Sequence, residues 1–271
     1  MTQSSRCAHA RHPLHPALST MTTLSPPRFF VPMPLHSGHS MPLPDDVVRH
    51  MHVLRLQAGD KAILFNGEGG QFDAELLQLD KRSATVQVGR FDAREVEPPY
   101  RVVLAQGIAG GDKMDWLLEK AIELGVASVI PLVTARSVVR LTGERAARRH
   151  AHWQALVRAA CEQCGRNQLP DVAPPTDVMA WLESSVALPR DNALRLLLSP
   201  RAERPFAALP DTAPAAPVIV MIGPEGGLSA TEEAAAISHG FMPLGLGPRV
   251  LRTETAGIAV LAALAARWGG W

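Results

Sequence analysis

Pro217-Val218-Ile219-Val220-Met221-Ile222 is the stretch that most narrows what the chain can fold into. It is apolar without alternation and rich in β-branched residues. Such a run suits a strand buried on both faces, as in the interior of a mainly parallel sheet covered by helices. Directly after it come Gly223-Pro224-Glu225-Gly226-Gly227-Leu228 and then Ser229-Ala230-Thr231-Glu232. The last four have capping-box spacing: the Ser229 hydroxyl can accept from an amide three residues on, and Glu232 can reach back. The spacing predicts a helix from about Ser229. A glycine loop between strand end and helix start offers backbone amides to a ligand at the rim of an α/β sheet. The Gly-Lys-Ser/Thr ending of a P-loop and the Gly-x-Gly-x-x-Gly spacing of a dinucleotide fold are both missing. Glu225 would repel an anion about 4 Å away by roughly 1 to 4 kcal/mol. A neutral or cationic ligand is the expectation.

Upstream, strands and helices alternate. Strands are expected at Arg101–Ala105, Ser128–Leu132 and Leu194–Leu198, with helices from Asp112 to Gly125 and from about Glu144 to Cys164. Alternation of this kind implies an α/β domain with a parallel sheet. A second loop follows at Leu244-Gly245-Leu246-Gly247-Pro248-Arg249-Val250-Leu251-Arg252-Thr253-Glu254-Thr255-Ala256. It carries two arginines, hydroxyls and a carboxylate, dense polar chemistry for so apolar a region, with Thr253 as the expected N-cap of the last helix. That helix, Glu254 to Trp268, is apolar almost all the way round, which points to burial on more than one side and so to a subunit interface.

The amino-terminal part reads differently. Short segments at Arg28–Val31, Lys61–Phe65, Gln71–Leu77 and Ser83–Gly89 are separated by Gly59-Asp60 and Asn66-Gly67-Glu68-Gly69-Gly70, the pattern of a small antiparallel barrel. A helix is expected at about Asp45 to Val53. Ala93 to Pro99, charged and closed by prolines, reads as a linker. The expected organisation is a disordered extension over 1–27, a small barrel over 28–95 and an α/β domain over 96–271.

With 271 residues, 46% of them hydrophobic, the chain can bury a large core, and a net charge of +1 gives no global basic signature, so any nucleic-acid surface must be local. Cys7, Cys161 and Cys164 suggest no disulfide framework, as in a reducing cytoplasm, and no apolar run reaches the roughly 18 residues of a membrane span. A soluble cytoplasmic protein without a structural metal is expected. Cys161 and Cys164 sit within a helical pattern and lack further ligands for zinc. Gly165-Arg166-Asn167 offers a guanidinium and an amide past a helix end, suited to phosphate or base edges. His50-Met51-His52-Val53-Leu54-Arg55, with Arg28, gives the barrel a basic side.

Five motifs in one order carry a family resemblance: Gly111-Asp112-Lys113-Met114-Asp115; Lys120-Ala121-x-Glu123-Leu124-Gly125; Ala160 to Asn167; Ile222 to Gly227; and Leu244 to Ala256. In these the chain resembles the ribosomal small-subunit RNA methyltransferase E family of the SPOUT class. The resemblance implies a trefoil-knotted carboxyl domain with a mainly parallel sheet, a PUA-like β-barrel at the amino end, a homodimer through the carboxyl domain, and S-adenosylmethionine as cofactor. It implies methylation of N3 of uridine 1498 in 16S ribosomal RNA of the 30S subunit. Leu198, Ser199, Pro200, Ile222, Gly223, Pro224, Glu225, Gly226, Leu244, Gly245, Leu246, Gly247, Pro248, Val250 and Leu251 would hold the cofactor, with adenine among Leu198, Leu244 and Leu246. The sulfonium and ammonium of that cofactor are compatible with Glu225. Arg252, Thr253 and Glu254 are the catalytic candidates: Arg252 to stabilise charge on a uracil carbonyl, Glu254 to orient it or assist proton removal. Arg28, His52, Arg55, Arg136, Arg166, Asn167 and Arg249 are the RNA-binding candidates. The alternatives are a ribose 2′-O-methyltransferase of the same class and a non-catalytic RNA-binding assembly factor.

Overall fold

Two sheets divide the chain, and the computed structural model describes residues 25–184 and 193–271 of it. Most of the expected amino-terminal extension, including Cys7 and its histidines, lies outside the described residues. Ser25-Pro26-Pro27 runs irregularly into the first strand.

The first sheet comprises β1 (Arg28–Phe30), β2 (Ser40–Pro42), β3 (Lys61–Phe65), β4 (Gln71–Leu79) and β5 (Ala84–Asp92), in the order β1-β3-β4-β5-β2. Pairing is antiparallel except at one edge, where β1 runs parallel to β3. The wholly antiparallel expectation is corrected there. The chain from β1 to β3 passes through β2 and helix α1 (Asp45–Val53), and a connection that long can return a strand in the same direction. Val47, Val48 and Met51 of α1 close over Phe29, Leu64, Leu76, Val86 and Val88 to form a core of their own.

The second sheet has β6 (Val102–Gly107), β7 (Ser128–Val133), β8 (Asp171–Val172), β9 (Thr176–Asp177), β10 (Leu194–Leu198), β11 (Val218–Ile222) and β12 (Met242–Leu244). Its order is β12-β10-β11-β6-β7-β8, with β9 also on β7, and every pairing is parallel. β11 lies in its interior and all five of its residues are buried, which is why its sequence does not alternate. Val218, Val220 and Ile222 face a core shared with α2 (Lys113–Glu123), α3 (Gly143–Cys164) and α6 (Thr253–Trp268). Ile219 and Met221 face the opposite layer, built by α4 (Val178–Glu183) and α5 (Ala230–Ser238). Burying side chains of this size contributes about 1.5 to 3 kcal/mol each, so two-sided burial fixes β11 firmly.

The capping box forms as spaced. Ser229 Oγ accepts from the Glu232 amide at 3.2 Å, and Glu232 Oε2 accepts from the Ser229 amide at 2.7 Å. The second Glu232 oxygen accepts from the Ala135 amide at 2.7 Å, tying α5 to the loop after β7. The expected cap of α2, Asp112, holds the N-cap position, but its backbone is already helical and its side chain makes no capping bond. No helix among the described residues is long and apolar enough to cross a membrane.

The segment after β10 lies across the segment after β12. Ser199 N donates to Leu244 O, Gly245 N to Arg204 O at 2.9 Å, and Phe206 N to Gly245 O at 3.2 Å. Farther along, Pro210 O accepts from Arg267 Nε and Trp268 Nε1 near the end of α6. Residues 199–211 therefore clasp both ends of the final loop and helix.

Candidate functional site

The carboxyl ends of β10, β11 and β12 open into one cleft of about 530 Å³. Its walls are three loops: Leu198 to Arg201, Ile222 to Leu228, and Leu244 to Thr253. Thirteen of the fifteen predicted cofactor residues reach it; Gly245 and Pro248 are the two missing from the lining. Gly245 is instead tied by both backbone groups to Arg204 and Phe206, so it anchors the loop from behind. Arg201, Gly227, Leu228, Glu233 and Ala256 line the cleft beyond the residues assigned to the cofactor from the sequence.

Close packing shapes the glycine loop. A Cβ at Gly223 would stand 2.8 Å from the Leu228 amide nitrogen, and any side chain at Gly107 would run into Pro224. Gly107 ends β6 against this loop, so the glycine-rich Gly107–Gly111 segment allows backbone to meet backbone. Gly227 has φ +68° and Gly247 φ +109°, which side-chain-bearing residues rarely adopt.

Glu225 does not present a bare charge. Its Oε1 accepts from the Gly110 amide at 3.0 Å and pairs with Lys113 Nζ at 3.0 Å. Burial pushes this carboxyl upward, but the amide donors of Gly110 and its own backbone, with Lys113, outweigh it and leave the group below its usual range. Glu233, also in the lining, pairs with Arg201 at 3.2 Å. Arg136, Arg249 and Arg252 line the cleft as well. Arg136 Nη1 donates to Gly226 O at 3.0 Å, while Arg249 and Arg252 are exposed and have no partner among the described residues. Repulsion by Glu225 alone is therefore no ground for excluding an anion. What the cleft offers is an apolar wall of Leu198, Ile222, Leu244, Leu246 and Leu251, backbone amides and carbonyls from three loops, and a cationic rim.

Thr253 is not the N-cap. Arg252 holds that position with extended backbone, and Thr253 is the first helical residue. Its Oγ1 donates to Gly223 O at 2.6 Å and accepts from Gln106 Nε2 at 2.8 Å. The buried hydroxyl thus locks the start of α6 to the glycine loop and positions Arg252 beside it. Gln106, wholly buried, was the one polar residue in an apolar strand pattern, and that was its signal in the sequence. Glu254 corrects a further expectation. It neither lines the cleft nor pairs with Arg252: one residue past Thr253 the helix has turned about 100°, carrying the carboxylate into packing, with Oε2 buried and unpartnered among the described residues.

The RNA candidates divide. Arg166 is 4% exposed, bonds bidentately to Glu97 at 2.8 and 2.5 Å, and donates to Ile122 O and Val126 O. Asn167 is 1% exposed; it accepts from Arg28 Nη2 at 2.7 Å and donates to Arg94 O at 2.7 Å. Arg28 also donates to Gln71 and to Arg166 O, and stacks over Phe65. Its pKa is lowered, chiefly by burial and then by Arg94. These three residues hold the two sheets together and are corrected from phosphate ligands to a seam. His52 and Arg55 remain exposed at the end of α1, with His52 Nε2 2.9 Å from Asp80 O. Arg136 and Arg249 stand at the cleft.

Known proteins share this arrangement. A family profile described as an RNA methyltransferase domain matches residues 96–265, and one described as an RNA methyltransferase PUA domain matches residues 43–89. The chain is 32% identical to ribosomal RNA small subunit methyltransferase E of Buchnera aphidicola subsp. Schizaphis graminum, over 80% of this chain and 86% of that one. It is 30% identical to the Bacillus subtilis protein of that name, over 81% and 87%. The crystal structure of ribosomal RNA small subunit methyltransferase E from Neisseria gonorrhoeae bound to S-adenosyl methionine superimposes with a TM-score of 0.83 at 37% identity, covering 90% of this chain and 98% of that chain. A Legionella pneumophila protein solved in complex with the same cofactor gives 0.84 at 34% identity, over 90% and 98%. With a PUA-like sheet ahead of a parallel α/β sheet, and with relatives matched over most of their length, the chain belongs to the ribosomal RNA small subunit methyltransferase E family.

Proposed function

We propose that this chain methylates N3 of uridine 1498 in 16S ribosomal RNA, using S-adenosylmethionine, within the 30S particle in the cytoplasm. The observation that carries this reading is the cleft itself: an apolar, backbone-lined pocket at the ends of three parallel strands, with the guanidinium of Arg252, without a partner among the described residues, beside it. The donor set fits the cofactor. Leu198, Leu244 and Leu246 suit an adenine face, and the backbone of residues 222–226 and 244–251 suits its polar edges. Family membership and the cofactor-bound relatives support the same assignment. The clasp of residues 199–211 over the last loop and helix supports the trefoil knot.

S-adenosylmethionine, when bound, would supply an electrophilic methyl group with a neutral thioether as its leaving group. The residues of this chain must make uracil N3 a nucleophile, because its proton stays on at neutral pH. Arg252 stabilises the charge that develops on a uracil carbonyl as the N3 proton passes to water at the open mouth of the cleft. Thr253 holds Arg252 in register through Gly223 and Gln106. No protein base is assigned: Glu254 lies outside the lining, and Glu225 is held ionised below its usual range by partners that keep it occupied. Digestion of treated small subunits to nucleosides followed by mass analysis tests the proposal. The expected product is a base-methylated uridine; a 2′-O-methyl nucleoside, or none, overturns it.

The proposed dimer would use α6. Its buried face packs on α2, β6 and β11, while Ala259, Ala262 and Ala263 stay half-buried and Ala266 exposed on the face left over. Sedimentation should give twice the 29.1 kDa chain mass, and Ala262→Arg should return the mass to that of one chain. A wild-type monomer would remove the dimer from the proposal.

A further inference from the structure

A second cleft, of about 460 Å³, lies on the other side of the Gly107–Asp112 loop. It is lined by Ile108, Ala109, Gly111 and Asp112, by the first turns of α3, and by Val139 and Leu141. The loop serves both clefts: Gly110 N binds Glu225 on the first, and Gly111 O accepts from Arg149 on the second, at 3.4 Å.

Charge in this second cleft is uneven. Arg145, Arg148, Arg149 and His152 recur at helical spacing, so they share one face of α3. Asp115 faces them from α2, where it pairs with Arg149 at 2.9 Å and His152 at 2.7 Å and accepts from Trp153 Nε1 at 3.0 Å. One carboxylate thus fixes Arg149, which also lies over the Trp153 ring. Asp115 itself lies outside the lining, in which Asp112 is the acidic residue. Among the described residues Arg148 pairs with Glu144 alone, at 3.9 Å and with both side chains at least 80% exposed, a pairing worth little. Arg145 has no partner among the described residues. Arg145 and Arg148, whose backbone positions are offset by about 4.5 Å along the helix axis, are therefore exposed cations available to anions.

We propose that this cleft is a phosphate subsite for the RNA substrate, in which Arg145 and Arg148 hold backbone phosphates while Arg149 shapes the wall. The inference rests on the RNA-methyltransferase reading and extends it. Two long arginine side chains one turn apart on the same helix face can reach neighbouring phosphates of one RNA strand, and each phosphate so neutralised releases counterions. Val139, half-buried in the lining, offers an apolar contact to a sugar or base face. Because one loop separates the two clefts, RNA held here would lie next to the base entering the first.

Binding of the full-length chain to protein-free 16S RNA and to 30S particles, over a series of salt concentrations, tests the subsite. Arg145→Gln/Arg148→Gln should weaken both and lower the log-log salt slope by roughly 1.4 to 1.8, and Arg145→Gln alone by about half of that. S-adenosylmethionine affinity measured by calorimetry should stay at the wild-type value, showing an intact first cleft. Wild-type slopes in the double variant overturn the subsite and leave the methyltransferase reading standing. A loss confined to 30S particles overturns it in favour of a ribosomal-protein contact. Failure of the wild-type chain to bind either substrate overturns both readings.

Discussion

Arg252→Ala should reduce the single-turnover rate of methyl transfer about 10²- to 10³-fold while leaving S-adenosylmethionine affinity unchanged. That is the range seen when one preorganised donor is removed from a developing oxyanion, roughly 2.7 to 4 kcal/mol. The expectation rests on two observations. Arg252 lines the cleft without a partner among the described residues, so its charge is free for a substrate. Thr253 and the extended backbone at 252 fix where the side chain begins. Arg252→Lys should recover only part of the rate, since an ammonium keeps the charge but lacks the planar fork. Measuring rate at saturating RNA beside cofactor calorimetry separates chemistry from binding. A wild-type rate in Arg252→Ala removes the guanidinium from the mechanism.

How far the sequence led depends on which interactions are local. β11 and the capping box at Ser229 were legible because both follow from neighbours in the chain: unbroken apolar residues demand two-sided burial, and a Ser-to-Glu spacing of three demands a reciprocal cap. The three loops of the cleft were placed as ends of strands, helped by the family resemblance. The misses come from long-range partners. Glu225 was read as a free charge because Lys113, more than a hundred residues earlier, cannot be seen beside it in the sequence. Thr253 looked like a cap, yet Gln106 and Gly223 claim its hydroxyl. The short strands β2, β8 and β9 carry too few residues to set a period, and only pairing with other strands defines them; the six residues of α4 are likewise too few.

Arg166 shows the same limit most sharply and leads to the second large effect. In the sequence, an arginine after a glycine at a helix end looks like a phosphate ligand. In the fold, Gly165 adopts φ +88° and turns the chain inward, so that the guanidinium reaches Glu97 and the carbonyls of Ile122 and Val126. Arg166→Ala should therefore cost about 3 to 5 kcal/mol of stability, because it leaves a carboxylate and two carbonyls without their donor. Arg166→Lys should fall between, since one ammonium cannot serve all of these acceptors. Urea unfolding measures the loss, and a double-mutant cycle with Glu97→Gln should show that the two side chains are coupled. The salt slope of RNA binding, measured where the variant is still folded, should not move, because a guanidinium buried in this seam releases no counterions from RNA. A slope lowered by about one unit with stability intact would return Arg166 to the RNA surface and detach it from the junction between the sheets.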